Sequence, residues 1–207
     1  MRLLYGTGNP AKLKHMQKKL APVGIEIIGL NDMEKSAPSV YESGSSPLEN
    51  ARIKALAYFR FYGVPCFSCD SGLYFDNVPN EIQPGVHVRN VGGKTLTDRE
   101  MVEYYGSLAE KYGRLTARYK NAVCLVLSEE RIFESMDDSL SGNPFYIVSK
   151  PHEKRFEEGF PLDSLSVHIP TGKYYYDLSA EEKNYSVDNE HDGYVNFFEN
   201  ALNKFQH

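Results

Sequence analysis

The first twelve residues constrain the fold more than any other stretch. Arg2-Leu3-Leu4-Tyr5 is a largely apolar run of strand character, Thr7-Gly8-Asn9 breaks it, and a helix begins at once with Lys12 in its first turn. A glycine turn from strand to helix presents backbone N–H groups and the positive helix end to an anion. A lysine one turn in adds a mobile point charge suited to phosphate. The same residues also suit an ordinary connection, and the glycine spacing and closing K-[ST] of a Walker loop are absent. Thr7, Gly8, Asn9 and Lys12 are thus a candidate phosphate cradle at the start of a chain that mixes strands with helices.

Periodicity extends that pattern. Residues 10–20 read as a helix through Leu13, Met16 and Leu20, and 24–30 as a second strand, while 35–46 is loop by composition. Ser46 as N-cap, Pro47 at the first helical position and Glu49 completing S-x-x-E start a helix that Gly63 ends. A strand at 66–69 then leads to the polar turn Asp70-Ser71-Gly72. Further on, 97–112 is helical, 115–128 ends in the apolar A-V-C-L-V-L of a central strand, and strands follow at 131–136 and near 164–169. The last helix starts near Gly193. Strands and helices mix without strict alternation, which predicts an α/β or α+β fold around one long mixed sheet. No repeat or long linker divides residues 1–207, so the chain is read as one unit.

The net charge of −5 argues against non-specific nucleic-acid binding. No run approaches the roughly 20 apolar residues of a membrane helix, and no signal-peptide pattern is present, so a cytoplasmic protein is expected. Three cysteines do not build a disulfide framework. Cys66 and Cys69 form C-x-x-C within a strand-like segment, which favours small buried residues over a zinc or redox pair.

Among the residues able to carry chemistry, Glu42 lies in the polar loop and Asp70 at a strand end, both places where ligand sites gather. Two carboxylates beside a phosphate loop suggest Mg²⁺. Asn50 and Lys54 share a helix face, turned either to a ligand or to solvent, and Glu49 has its capping role. Phe160 either stacks on a base or anchors its loop, with Asp163 three residues on. Ser179 and Glu182 start a short helix that carries Lys183.

Seven segments in this order resemble the inosine triphosphate pyrophosphatase family. They are T-G-N-P-A-K at 7–12, E-S-G at 42–44, E-N-A-R-I-K-A at 49–55, D-S-G-L at 70–73, P-G-V at 84–86, G-F-P-L-D at 159–163 and G-K-Y-Y-Y-D-L-S-A-E-E-K-N at 172–184. The resemblance implies a two-lobed α/β fold, a long twisted mixed β-sheet with flanking helices and a central cleft, and a homodimer. It implies Mg²⁺-dependent hydrolysis of non-standard purine nucleoside triphosphates (ITP, dITP, XTP) to the monophosphate and pyrophosphate. Carried over by position, Thr7, Gly8, Asn9 and Lys12 bind the triphosphate, Glu42 and Asp70 hold metal, and Asp70 accepts the proton. Lys54 joins Lys12, Mg²⁺ and the helix end in neutralising charge on the leaving pyrophosphate. Ser71 contacts substrate, Phe160 to Asp163 line the base pocket, and Lys183 reaches the nucleotide.

Three positions depart from the family. Cys69 stands where a second acid is usual. Gly159-Phe160-Pro161-Leu162-Asp163-Ser164 replaces G-[FW]-G-Y-D-P. The base-reading S-H-R falls on Asp188-Asn189 when counted from Lys183, or on His191-Asp192-Gly193 when aligned on the last helix. The arginine is absent either way, and base preference stays open. Two alternatives therefore stand beside the house-cleaning reaction, namely the same reaction on another base and nucleotide binding with weak or lost catalysis.

Overall fold

The computed structural model describes residues 1–185 and 193–203. In chain order the elements are β1 (Arg2–Tyr5), α1 (Pro10–Leu20), β2 (Glu26–Gly29), α2 (Pro47–Tyr62), β3 (Cys66–Phe75), β4 (Asn90–Val91), β5 (Lys94–Thr95), α3 (Asp98–Tyr112), β6 (Leu115–Ser128), β7 (Arg131–Ser135), β8 (Phe145–Ile147), β9 (Ser166–His168), α4 (Ala180–Tyr185) and α5 (Gly193–Asn203). Short 3₁₀ turns join several of them, including Asp138–Leu140 and Pro161–Leu165. None of the helices among the described residues is long and apolar enough to cross a membrane.

Local signals set the helices. Ser46 accepts from the Glu49 N–H, Pro47 opens α2, and Gly63 closes it at φ 68°, a left-handed value that glycine adopts without strain. Thr97 and Glu100 form a reciprocal capping box on α3. The larger sheet has seven strands in the order β2-β1-β3-β6-β8-β9, with β7 paired to β6. β1 pairs parallel with β2 and β3, whereas β6 pairs antiparallel with β7 and β8. This is the mixed sheet expected of the α/β reading.

One expectation is corrected. Asp70-Ser71-Gly72 is not a turn, because β3 continues through it to Phe75. β3 is hydrogen-bonded to β6 in the sheet, and its extended run takes in this segment despite a turn-prone composition. Asp70 therefore projects from within a strand.

The chain divides into two compact units. In the first (1–71, 120–141, 190–207), strand alternation sends side chains to both faces of the sheet and builds three hydrophobic clusters. Leu3, Tyr5, Phe67, Cys69, Val123 and Leu125 pack with Met16 and Leu20 of α1 and Phe198 of α5. Leu4 and Cys66 pack with Tyr58 of α2, while Ala122, Cys124 and Val126 pack with Ala51 and Ala55 of the same helix. Tyr5 and Phe67 stack at 4.4 Å, and Phe198 meets Phe67 edge-on. Each large apolar side chain removed from water contributes about 1.5–3 kcal/mol.

Cys66 and Cys69, three apart on one strand, fall into different cores and are free and buried, as the small-residue reading expected. Gly6 is needed where β1 ends, because a Cβ there would lie 2.3 Å from Ser68 Oγ and 2.4 Å from Tyr58 Cδ2.

The second unit (72–119, 142–189) has its own core of Leu73, Phe75, Met101, Tyr105, Leu115, Ile147 and Leu165. Arg89 pairs with Asp98 at 2.7 Å, and Asp98 also accepts from the Gly159 N–H, tying the 159–163 loop to the start of α3.

Candidate active site

Lys54 joins the two carboxylates singled out from the sequence. Its Nζ lies 2.9 Å from Glu42 Oε2 and 3.0 Å from Asp70 Oδ1. Helix α2 brings the amine up, β3 presents Asp70, and the loop before α2 carries Glu42. Burial works to lower the Lys54 pKa, but the hydrogen bonds and charges of Glu42 and Asp70 outweigh it and leave it above the ordinary lysine value. The position between the carboxylates is thus one where positive charge is stabilised.

The start of α2 holds the Glu42 loop in place. Buried Asn50 accepts from the Gly44 N–H at 2.8 Å. Glu49 accepts from both the N–H and the Oγ of Ser45, one residue earlier than the reciprocal bond of a standard capping box. Asn50 and Lys54 share a face, as their spacing indicated, and that face serves the loop and the carboxylates rather than bulk solvent.

The N-terminal turn differs from expectation. Asn9 Oδ1 accepts from the N–H groups of Ala11 (2.9 Å) and Lys12 (3.3 Å), and Thr7 Oγ1 accepts from the Asn9 N–H. The first donors of α1 are therefore already capped, the usual role of asparagine at a helix start. Among the described residues only Gly8 of this turn keeps an unpaired N–H. Lys12 is exposed, and its amine makes no hydrogen bond or ion pair with another described residue.

Cys69 is buried on β3. Burial pushes its thiol up to about 12, so it carries no charge at neutral pH and does not supply the missing acid's negative charge. Ser71, also on β3, donates its hydroxyl proton to Asn121 Oδ1 at 2.7 Å, and Asn121 Nδ2 donates to the Leu140 carbonyl at 2.8 Å.

In the second unit Tyr119, Phe145, Asp163, Ser166 and Tyr175 line a cavity of about 200 Å³. Tyr119 and Phe145 stack at 5.7 Å, and Tyr175 meets Phe145 edge-on at 6.3 Å. Burial, helped by the charge of Glu157, raises the Asp163 carboxyl above the ordinary aspartate value. Burial and then Asp163 push the Tyr119 phenol up to about 12. Phe160, expected in the pocket wall, is 53% exposed and not among the lining residues. The wall aromatics come instead from β6, β8 and the 175–177 turn, whose proximity is non-local and gives no motif.

Ser179 and Glu182 cap α4 reciprocally. Lys183 lies in α4, with its side chain outside what is described. His191, like Asp188, Asn189 and Asp192, falls outside the described residues. Asn121, Tyr119, Phe145, Ser166 and Tyr175 were not singled out from sequence. The one available hint was polar and aromatic residues in the half of β6 preceding its apolar run.

Comparison with known proteins extends this geometry. Residues 3–206 match the model of the Ham1 family. A dITP/XTP pyrophosphatase of Thermus thermophilus is 32% identical over 187 residues, covering 88% of this chain and 84% of that protein. One from Symbiobacterium thermophilum is 34% identical over 186 residues, covering 88% and 86%. A HAM1 protein of Coxiella burnetii shares the fold, with a TM-score of 0.72 at 23% identity over the full length of both chains. A nucleoside-triphosphatase / dITP/XTP pyrophosphatase from Mycobacterium abscessus aligns with a TM-score of 0.67 at 25% identity, covering 89% and 90%. Family model, relatives and fold agree, and the chain belongs to the Ham1 family.

Proposed function

We propose that this chain hydrolyses nucleoside triphosphates to the monophosphate and pyrophosphate, acting on non-standard purine nucleotides such as ITP, dITP and XTP. The observation that carries the reading is the Glu42–Lys54–Asp70 cluster, two carboxylates around one cation. Asp70 accepts the proton of the water that attacks the α-phosphorus, which needs no covalent intermediate. Lys12 and Lys54 offset charge on the triphosphate oxygens.

The oxygen donors of Glu42 and Asp70, completed by substrate phosphate, suit Mg²⁺, which is commonly held by one or two carboxylates and phosphates. When bound there it supplies charge neutralisation for the phosphates and the departing pyrophosphate. In the second unit, the aromatic cavity with Asp163 as acceptor suits a base that presents a ring N–H, as 6-oxopurines do.

A second reading keeps the reaction and shifts the base. Among the described residues, the cavity lining contains no lysine or arginine to donate to a carbonyl oxygen, whereas Asp163 accepts from an amino group. Pyrophosphate release with Mg²⁺ across inosine, xanthosine, guanosine, adenosine and pyrimidine triphosphates separates the readings. Preference for inosine and xanthosine supports the first, and turnover confined to amino-bearing bases supports the second. Binding without turnover of any nucleotide sinks both.

A further inference from the structure

The amide of Asn121 is oriented by chemistry rather than by assignment. The Leu140 carbonyl can only accept, so the Asn121 NH₂ must face it, 2.8 Å away. The Asn121 carbonyl oxygen then faces Ser71, and the only proton available for that 2.7 Å bond is the Ser71 hydroxyl proton. Ser71 Oγ thus has its donor committed and its lone pairs unspent. No donor of the described residues reaches it. Ser71 remains partly accessible, on the strand that carries Asp70.

We infer that Asn121 is a positioning residue that makes Ser71 an acceptor only, so that Ser71 receives a hydrogen bond from an O–H group and does not grip a phosphate oxygen. A hydroxyl that donates to phosphate is the usual expectation for a serine in a nucleotide site, and the Leu140–Asn121–Ser71 chain forbids it without breaking a bond. The O–H group belongs either to the nucleotide's sugar or to an ordered water. The inference rests on the nucleotide hydrolysis proposed above and refines what one of its contacts reads.

The test begins with wild-type turnover of inosine triphosphate. If the wild type releases no pyrophosphate from any nucleotide, the proposed function fails, and that result is distinct from a loss confined to the variants. With an active wild type, Ser71→Thr keeps the hydroxyl, and Ser71→Val replaces it with a methyl of the same shape. Ser71→Val is expected to lower kcat/KM about tenfold and Ser71→Thr to stay within about twofold of wild type, the scale of one hydrogen bond.

Inhibition by inorganic tripolyphosphate, which carries no sugar, should be the same in Ser71→Val as in wild type. An equal loss of tripolyphosphate affinity overturns the inference. Asn121→Ala should cost about tenfold in the wild-type background and less than about twofold in Ser71→Val, because it acts through Ser71. A cost of the same size in both backgrounds marks a merely structural asparagine and also overturns it. The Ser71→Thr and Ser71→Val pair decides on its own if Asn121→Ala does not fold. Repeating the Ser71→Val comparison with 2′-deoxy and 2′,3′-dideoxy inosine triphosphate identifies the source. A penalty that vanishes with either substrate assigns the donor to the sugar, and one that survives both assigns it to water.

Discussion

Asn50 Oδ1 holds the Gly44 N–H at 2.8 Å from a fully packed position on α2, one turn before Lys54 reaches Asp70. The loop that carries Glu42 is therefore fastened by a helix residue that does not itself touch the carboxylates. Asn50→Ala leaves a buried N–H without an acceptor, at a cost of about 1–3 kcal/mol. It should lower the urea midpoint and raise the Mg²⁺ concentration needed for half-maximal pyrophosphate release. Unchanged Mg²⁺ dependence at reduced stability would limit Asn50 to a folding role.

Lys54→Met removes the cation between two carboxylates while keeping most of the stem's apolar volume. Because Glu42 is partly solvated, the expected loss is about 1–3 kcal/mol in the absence of metal. A divalent cation placed between the same carboxylates offsets that loss, so the melting temperature of the variant should rise more with Mg²⁺ than that of the wild type. Turnover should fall at saturating Mg²⁺. Thermal melts with and without Mg²⁺, together with pyrophosphate assays, measure both effects.

Gly6 and Gly8 flank the same turn and should respond oppositely. A Cβ at Gly6 collides with Ser68 and Tyr58, whereas one at Gly8 meets nothing within 4 Å. Gly6→Ala should cost about 1–3 kcal/mol through overpacking. Gly8→Ala should leave the melting temperature unchanged and raise KM by obstructing a ligand's approach to the backbone. A Gly8→Ala enzyme with normal KM removes the turn from the binding site.

Burial pushes the Cys66 and Cys69 thiols up to about 12, and Cys124 is raised as well by its burial. Native protein at pH 8 should therefore react negligibly with a disulfide-exchange reagent, while unfolded protein titrates three thiols. Cys69→Ser should keep most of the activity. A fast-reacting thiol in the native state contradicts the buried, protonated description.

Glu100 carries a pH signature. The Lys94 ammonium, followed by the Thr97 cap, holds its carboxyl down at about 2, below its ordinary 4.5. A depressed carboxyl stabilises the fold above its unfolded value, and that stabilisation fades as the pH falls toward the folded one. Glu100→Gln should be less stable than wild type at pH 7, with the difference closing between about pH 4.5 and 2. Denaturant titrations at several pH values measure it.

Elements written in local chemistry were legible in advance. Asn9-Pro10, Ser46-Pro47 and Gly63 set the bounds of α1 and α2 through caps that involve only neighbouring residues. β6 was legible through its apolar run. The three-residue β8 was not, because it exists by pairing with β6 and β9 rather than by its own pattern. β3 ran past Asp70-Ser71-Gly72 for the same reason. At the site, the four-residue spacing put Asn50 and Lys54 on one face but could not say what that face met. The bond between Ser71 and Asn121 spans fifty residues, and no motif announces a contact made only by the sheet's register.

The asparagine at the head of α1 gives the proposed phosphate turn a particular character. Its own amide oxygen already occupies two of the donors an incoming anion would use, the N–H groups of Ala11 and Lys12, and leaves that of Gly8. Arrival of a ligand there is an exchange, in which one oxygen leaves the helix end as another takes its place. A weak or singly charged anion gains little from such a trade. A polyphosphate, which brings several charges and can reach Lys12 at the same moment, gains more. Under the proposed function, the turn favours a polyphosphate over a singly charged anion, because only the former offsets the displaced Asn9 bonds.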